Sequence, residues 1–411
     1  MKASQNNPTL HTTRNIFVLS LPLLILAFTQ LPTLSSRLAL LSRQIFSFTL
    51  GSYPSHPVST MSYRKELKVA ELAVQRAALL TQRVFHEKAK GTLSKDDKSP
   101  VTIGDFGAQA LIIHAIRHNF PTDAIVGEEE ASSLRENRGL ADQIWELVNS
   151  TKLEDEASEE QLGGGIRSEI DMLRAIDEGQ SPGGGRGRIW ALDPIDGTKG
   201  FVRGGQYAVC LALIEDGHVK VGALACPNLP VDDSAPLSAD VGDESGEGRG
   251  VLFSSVLGSG AMSRPLGRGA IEKGIPIHMR EVPDISQATF CESVEAGHSS
   301  HGDQAEIAKK LGITEESVRM DSQAKYGSIA RGAGDLYLRL PVQADYVEKI
   351  WDHAAGELIV REAGGQVTDA VGRRLDFSKG RTLTENKGVV AAPKEIHEQV
   401  LNAVRSVLGA K

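Results

Sequence analysis

Acidic residues fall at the ends of strand-like segments in three separate regions of the chain. Asp193-Pro194-Ile195-Asp196-Gly197-Thr198 follows the apolar run Arg188–Leu192. Glu128 follows Gly127 and the short strand expected at Ala124–Val126, and Asp352 stands just ahead of a helix expected over Ala354–Ala363. Hard divalent cations such as Mg²⁺ take oxygen ligands, usually a few carboxylates completed by water and substrate phosphate. Asp193 and Asp196, three apart across a turn at Pro194, can aim both carboxylates at one point and leave the Ile195 carbonyl as a further oxygen ligand. Four acids from three regions could hold a pair of cations about 3.5–4 Å apart, an arrangement that clamps the attacking and leaving oxygens of phosphoryl transfer. A helix start at Asp352 would favour a phosphate nearby. Thr198 adjoins the cluster, and Asp105 could take a proton through it, a relay that activates a water. Each residue also has a plainer reading. Asp, Pro and Gly are turn formers, an acidic triplet is a solvated turn, and an Asp ahead of a helix is a cap contributing about 1 kcal/mol. Asp105 has the same capping alternative. Their joint order along the chain favours the chemistry.

The elements that must position these groups can be read from periodicity. Leu67, Ala70, Val74, Ala77, Thr81 and Val84 recur at helical spacing between Tyr63 and Lys90. The segment SKDDKSPVTIGD reads as a loop, followed by an amphipathic helix, FGAQALIIHAIRHNF, that begins just after Asp105 and ends before Pro121. Residues 150–188, acidic and then rich in glycine, read as an insertion or long loop. Ala208–Glu215 and His218–Ala225, separated by Asp216-Gly217, carry the strongest short-range hairpin signal. An acidic Gly/Ser-rich stretch spans about 231–250. Strands are expected near Val251–Ser254, Ile277–Glu281 and Tyr337–Leu340, and helices near Gln304–Leu311 and Lys394–Leu408. Strands and helices alternate, yet hairpins are present, so the sheets should be mixed.

Composition sets the outer bounds. The 411 residues carry a net charge of −8 and are 40% hydrophobic, ordinary for a globular chain. At about 150 residues per domain the length suggests two or three packing units. The acidic balance argues against general nucleic-acid binding, which needs an excess of cations, but not against a small phosphate ligand. Three cysteines, Cys210, Cys226 and Cys291, point to a reducing compartment without a disulfide framework. Residues 1–60 hold four cationic side chains and no acid, so the remainder is at −12. The run IFVLSLPLLILAF is short for a spanning helix. Three readings of this extension stand: a mitochondrial transit peptide, a secretory signal, or sequence upstream of a true start at Met61. In each, residues 1–60 are expected to lie outside the fold; the location expected is the cytoplasm, or the mitochondrion if the leader is a transit peptide.

Val126-Gly127-Glu128-Glu129, then WALDPIDGT from Trp190, then WDHAAG from Trp351 together resemble the three-part signature of the inositol monophosphatase superfamily, whose members are lithium-sensitive, Mg²⁺-dependent phosphatases. The likeness runs from about Tyr63 to Leu408. Within the superfamily, the stretches SPVTIGDFGAQALI, EAGHSSH, DSQAKYGSIARG and DLYLRLP are most similar to the 3′(2′),5′-bisphosphate nucleotidase branch of fungal and plant type. The resemblance implies the layered α/β sugar-phosphatase fold, with mixed sheets sandwiched by helices. Residues 61–225 would form an N-terminal α+β part holding most metal ligands, 226–250 an acidic loop, and 251–411 a C-terminal part carrying the nucleotide contacts.

By the same resemblance, Glu128, Asp193, Asp196, Asp352 and the Ile195 carbonyl would ligate two or three Mg²⁺, and Asp105 and Thr198 would activate the water. His298, Ser322, Lys325 and Arg339 would contact the nucleotide, with Thr198 and Asp352 also bordering it. Lys325 and Arg339 can offer charge-assisted donors to phosphate, although a strand-end ion pair for Arg339 and a surface loop for His298 are the plainer readings. The stretches 150–188 and 231–250 fall in variable regions of the family, whereas Glu130 stands where the family often has a small polar residue, which leaves open which acid would bind an auxiliary metal. The implied reaction is hydrolysis of the 3′-phosphate of adenosine 3′,5′-bisphosphate to AMP, with 3′-phosphoadenylyl sulfate as a second substrate. That ties the chain to sulfate assimilation and to lithium and sodium sensitivity. A small-molecule substrate is expected, with no nucleic-acid partner and no stable membrane insertion of the mature domain; the sequence leaves the oligomeric state open, a monomer included. Alternatives are an inositol monophosphatase, an inositol polyphosphate 1-phosphatase, or a non-catalytic nucleotide-binding regulator.

Overall fold

Alternation along Ala208–Glu215 shows how the core is organised. Val209, Leu211 and Leu213 point to one side of a sheet and Ala208, Cys210, Ala212 and Ile214 to the other, and all are buried. A strand that is apolar on both faces must be covered on both. In the computed structural model, which describes residues 62–87, 92–94, 100–233, 248–295, 299–340, 342–343 and 345–409, helices do so. On one side lie α1 (Arg64–Glu87) and α2 (Ile103–Asn119), joined across β1 (Thr92–Ser94) and β2 (Pro100–Thr102), which pair antiparallel. The sheet itself is seven-stranded, in chain order: β3 (Ala124–Gly127), β4 (Arg188–Asp196), β5 (Ala208–Glu215), β6 (His218–Pro230), β7 (Arg249–Val256), β8 (Ala261–Pro265) and β9 (Ile275–Ile277). Only β3 and β4 run parallel, so the sheet is mixed as expected. Between β3 and β4 the chain forms α3 (Ser132–Glu136), α4 (Arg138–Ser150), α5 (Glu156–Gln161) and α6 (Glu169–Asp177), and α7 (Thr198–Arg203) follows β4.

Beyond β9 come β10 (Cys291–Glu292), α8 (His301–Leu311), β11 (Val318–Arg319), α9 (Ala324–Ala330), β12 (Tyr337–Arg339), α10 (Ala354–Glu362), β13 (Gly365–Thr368), β14 (Val389–Pro393) and α11 (His397–Leu408). Residues of α9 and α10 share a core with the second face of the large sheet and with Tyr337, Val389 and Ala391. The opposite face of the small antiparallel sheet β12-β14-β13 buries Leu338, Val390 and Ala392 against α8 and α11. The order is therefore helix, sheet, helix, sheet, helix, five layers in all.

Several expectations are corrected. The stretch SKDDKSPVTIGD is not a plain loop, since its flanks pair as β1 and β2 and Ile103 already starts α2. That helix is buried on nearly every side rather than amphipathic, because other helices cover the surface that would otherwise meet water. Residues 150–188 hold two capped helices, with Asp155 accepting from the Ser158 amide and Ser168 from the Asp171 amide. β6 continues to Pro230, and β7 to β9 complete the same sheet as β3 to β6. The change of layer thus falls after Ile277 rather than at 226–250. Much of the acidic stretch, together with residues 1–61 and His298, lies outside the described residues. Among those described, no helix is long and apolar enough to cross a membrane.

Candidate active site

The Asp193–Asp196 segment is the tail of β4 rather than a separate turn. Asp193 pairs with Cys210 and Asp196 with Ala208, so three steps on β4 face two on β5. In a regular strand, residues three apart point to opposite faces. The extra residue of this bulge reverses that parity. Ile195 consequently enters the core beside Phe201 and Tyr207, while both carboxylates face the same cleft, and the Ile195 amide donates to Asp193 Oδ1 at 3.1 Å. Gly197 then turns the chain at φ +86°, and the Thr198 hydroxyl donates back to the Ile195 carbonyl at 3.2 Å.

Asp352 arrives from the other side of the cleft. The cap position of α10 is His353, with no side-chain cap. Ligand atoms of Asp193, Asp196 and Asp352 lie within 4.8 Å of one another. Gln323 locks this convergence: its amide donates to Asp196 Oδ2, its side-chain nitrogen donates to the Trp351 carbonyl at 2.8 Å, and its side-chain oxygen accepts from the Gly356 amide at 2.9 Å. Glu128 enters from the end of β3. There Gln109 brackets the turn, donating to the Glu129 carbonyl at 2.7 Å and accepting from its amide at 3.0 Å. A Cβ at Gly127 would lie 2.8 Å from the Gln109 side-chain oxygen, so glycine is required for that approach. Gln109 and Gln323 are contacts that sequence reasoning missed.

The cleft, about 220 Å³, is lined by Glu128, Asp193, Ile195, Asp196, Thr198, Ser322, Lys325, Arg339 and Asp352, with Lys199, Tyr346 and Lys349 nearby. Nine of the eleven expected site residues thus share one surface. Asp105 is buried in the first turn of α2, not among the lining residues, but its charge acts on Asp193. A larger hollow of about 860 Å³ beside α3 and α6, where Arg135 pairs with Asp177 and Arg174 with Asp171, gathers no comparable cluster.

Burial raises the proton affinity of Asp193, and Glu128, Asp196, Asp352 and Asp105 raise it further. Asp196 is pushed up to about 7 by burial and then by Asp352, against Lys325, the Gln323 amide and Arg339. Buried like charges of this kind are stabilised by a cation. The donors are hard oxygens, so the cluster could hold a metal ion. Glu348, Asp352 and His353 form a second close group, but there the Glu348 carboxylate accepts from Arg339 at 2.8 Å and meets His353 Nε2 at 3.1 Å. Burial alone would raise Glu348; Arg339 and then His353 hold it down to about 2. That carboxylate holds Arg339.

Arg339 is therefore partly the strand-end ion pair of the plainer reading. Its other nitrogen donates to the Tyr346 hydroxyl at 3.2 Å and stands 4.0 Å from Asp352. Lys325 donates to the Met320 carbonyl at 3.1 Å, and burial lowers it to about 8 despite Asp196. Ser322, at φ +69°, accepts from the Ala324 amide.

This layered fold around an acidic cleft is that of the inositol monophosphatase family, and the chain belongs to it, with residues 62–408 matching. The chain is 69% identical over 350 residues to the 3′(2′),5′-bisphosphate nucleotidase of Emericella nidulans, covering 85% of this chain and 99% of that one. Identity is 50% over 352 residues to the enzyme of the same name from Schizosaccharomyces pombe (84% and 97% covered) and 43% over 352 residues to that of Oryza sativa (84% and 95%). Among solved structures, a Thermotoga maritima IMPase has a TM-score of 0.53 at 20% identity, covering 84% of this chain and 98% of that one. SuhB from Bartonella henselae has a TM-score of 0.54 at 19% identity (83% and 98%), and these two bear on the fold alone.

Proposed function

We propose that this chain is a Mg²⁺-dependent phosphatase that removes the 3′-phosphate of adenosine 3′,5′-bisphosphate, giving AMP and phosphate, and that it accepts 3′-phosphoadenylyl sulfate as well. The observation that carries this reading is one cleft holding both the Asp193–Asp196–Asp352 convergence and cationic side chains, Lys325 and Arg339 among them. The likeness to nucleotidases, over 84–85% of this chain, supplies the substrate.

Glu128, Asp193, Asp196, Asp352 and the Ile195 carbonyl would hold the ions, most of them from the part of the chain before β7. Bound Mg²⁺ supplies Lewis acidity and charge neutralisation for phosphoryl transfer. The chain's own groups do the rest. Asp105 takes a proton from water through the Thr198 hydroxyl as the water oxygen bonds to phosphorus. The bond from phosphorus to the ribose 3′-oxygen breaks, that oxygen takes a proton from a second water, and the proton held by Asp105 passes back to solvent, which restores the site. Lys325 and Arg339 bind the remaining phosphate, Arg339 being pre-aimed by Glu348. Ser322 and His298 complete the nucleotide contacts.

The reading is tested by kcat/KM for phosphate release from adenosine 3′,5′-bisphosphate and from inositol 1-phosphate, with Mg²⁺, with and without Li⁺. The nucleotide should be preferred by about 10²-fold or more, as expected where buried polar groups go unpaired with the wrong substrate, and Li⁺ should inhibit. Preference for the inositol ester would overturn the nucleotidase assignment. Tight nucleotide binding without turnover would point to a regulator instead.

A further inference from the structure

Arg381 lies outside every motif that marks the site, yet it joins the two sides of it. Its backbone runs alongside the approach to Asp352. The Ile350 amide donates to the Arg381 carbonyl at 3.1 Å, the Leu383 amide donates to the Glu348 carbonyl at 2.8 Å, and Lys349 bridges Thr382. Its guanidinium lies over the Trp351 ring, 4.9 Å from the centroid. From there it reaches the end of β3, donating to the carbonyls of Gly127 at 2.6 Å, Gly179 at 3.2 Å and Ser181 at 3.1 Å.

Those carbonyls belong to one local unit, since the Gly127 amide donates to Gly179 at 2.8 Å and the Ser181 amide to Ile125 at 3.0 Å. Arg381 therefore grips the residue before Glu128 with its nitrogens while stacking on the residue before Asp352. Gln109 and Gln180 hold the residue after Glu128 through the Glu129 carbonyl, so the Glu128 backbone is fixed on both flanks. Half-buried, with Glu128 and Glu130 acting on its charge, Arg381 also tempers the acidity at this end of the cleft.

The geometry points to Arg381 as a positioning residue that sets the distance between Glu128 and Asp352 and thereby the affinity of the site for divalent cations. This rests on the metal-dependent reading above. Groups that orient metal ligands, when removed, typically cost about 10–100-fold in affinity. A planar fork is needed for three carbonyls and a stacked ring, and a lysine offers neither.

The test is calorimetric titration of the whole chain with Mn²⁺ alone, alongside the Mg²⁺ concentration for half-maximal activity and the melting temperature in EDTA. Arg381→Met should weaken Mn²⁺ binding by roughly 10–100-fold, and Arg381→Lys should fall between it and the parent. The Mg²⁺ requirement should rise far more than kcat at saturating Mg²⁺ falls. Arg280→Met, which strips the buried Asp335 of its ion pair away from the cleft, serves as the control for a purely structural loss. It should lower the melting temperature and leave Mn²⁺ affinity unchanged. Parent-like Mn²⁺ affinity in both Arg381 variants, or an equal loss in Arg280→Met, overturns the inference while leaving the metal site standing. Absence of Mn²⁺ binding by the parent chain overturns the metal reading itself, and the inference with it.

Discussion

Replacing Asp193 with Asn yields a folded protein that turns over substrate roughly 10³-fold or more slowly, as expected when a group that organises charge at the reacting phosphate is removed. The amide keeps the side-chain oxygen that accepts from the Ile195 amide, so the bulge survives. The same change makes the metal-free protein more stable. Burial and four neighbouring carboxylates raise the Asp193 carboxyl well above its ordinary range, so the folded state holds that proton more tightly than the unfolded chain does. Such a group favours folding at acid pH, and that contribution is lost as pH rises through the folded value. The stabilisation by Asn should therefore be small at about pH 4 and below, where the unfolded carboxyl is protonated as well, and grow as pH rises above that, reaching about 1 kcal/mol or more, in line with other cases of buried charge removal. Thermal melts in EDTA at several pH values, paired with turnover assays, check both halves. Near-parent activity would remove Asp193 from the metal site.

The second large effect concerns the proton. Asp105→Asn and Thr198→Ala should each lower kcat by about 10²–10⁴-fold, the usual contribution of a positioned general base. The double variant should be hardly slower than either single one, because groups acting as a unit are not additive. Thr198→Ser keeps the hydroxyl and should keep most of the rate. Mn²⁺ affinity in Thr198→Ala should change little, which separates proton handling from ion holding. Full activity in Thr198→Ala would dismantle the relay.

The acidic residues proposed to do the chemistry were legible in the sequence because the ligand they would serve constrains their types. Their convergence was legible only in outline. Asp193 and Asp196 face the same cleft because three steps along β4 face two along β5, and no property of the Asp-Pro-Ile-Asp segment alone fixes that count. Gln109, Gln323 and Arg381 act largely on backbone groups brought near by the fold, and such partners leave no mark in local spacing. The hairpin at Asp216-Gly217 was readable because both residues must take positive φ, and they do, at 50° and 75°. The helices within 150–188 were missed for a different reason: glycine content outweighed the capping residues Asp155 and Ser168, which were present in the sequence. Helix α9 is short and contains Gly327, whose Cβ would sit 2.5 Å from the Phe253 ring. Packing against α10 and the large sheet, rather than helix propensity, accounts for that element.

The assignment of the cleft to one phosphate of one nucleotide is tested most directly by identifying the products formed from adenosine 3′,5′-bisphosphate and Mg²⁺ by phosphorus NMR. The geometry of the site and the proposed chemistry predict inorganic phosphate and adenosine 5′-monophosphate in equal amounts, with neither formed in EDTA. Adenosine 3′-monophosphate as the product, or unchanged nucleotide in the presence of Mg²⁺, would contradict it.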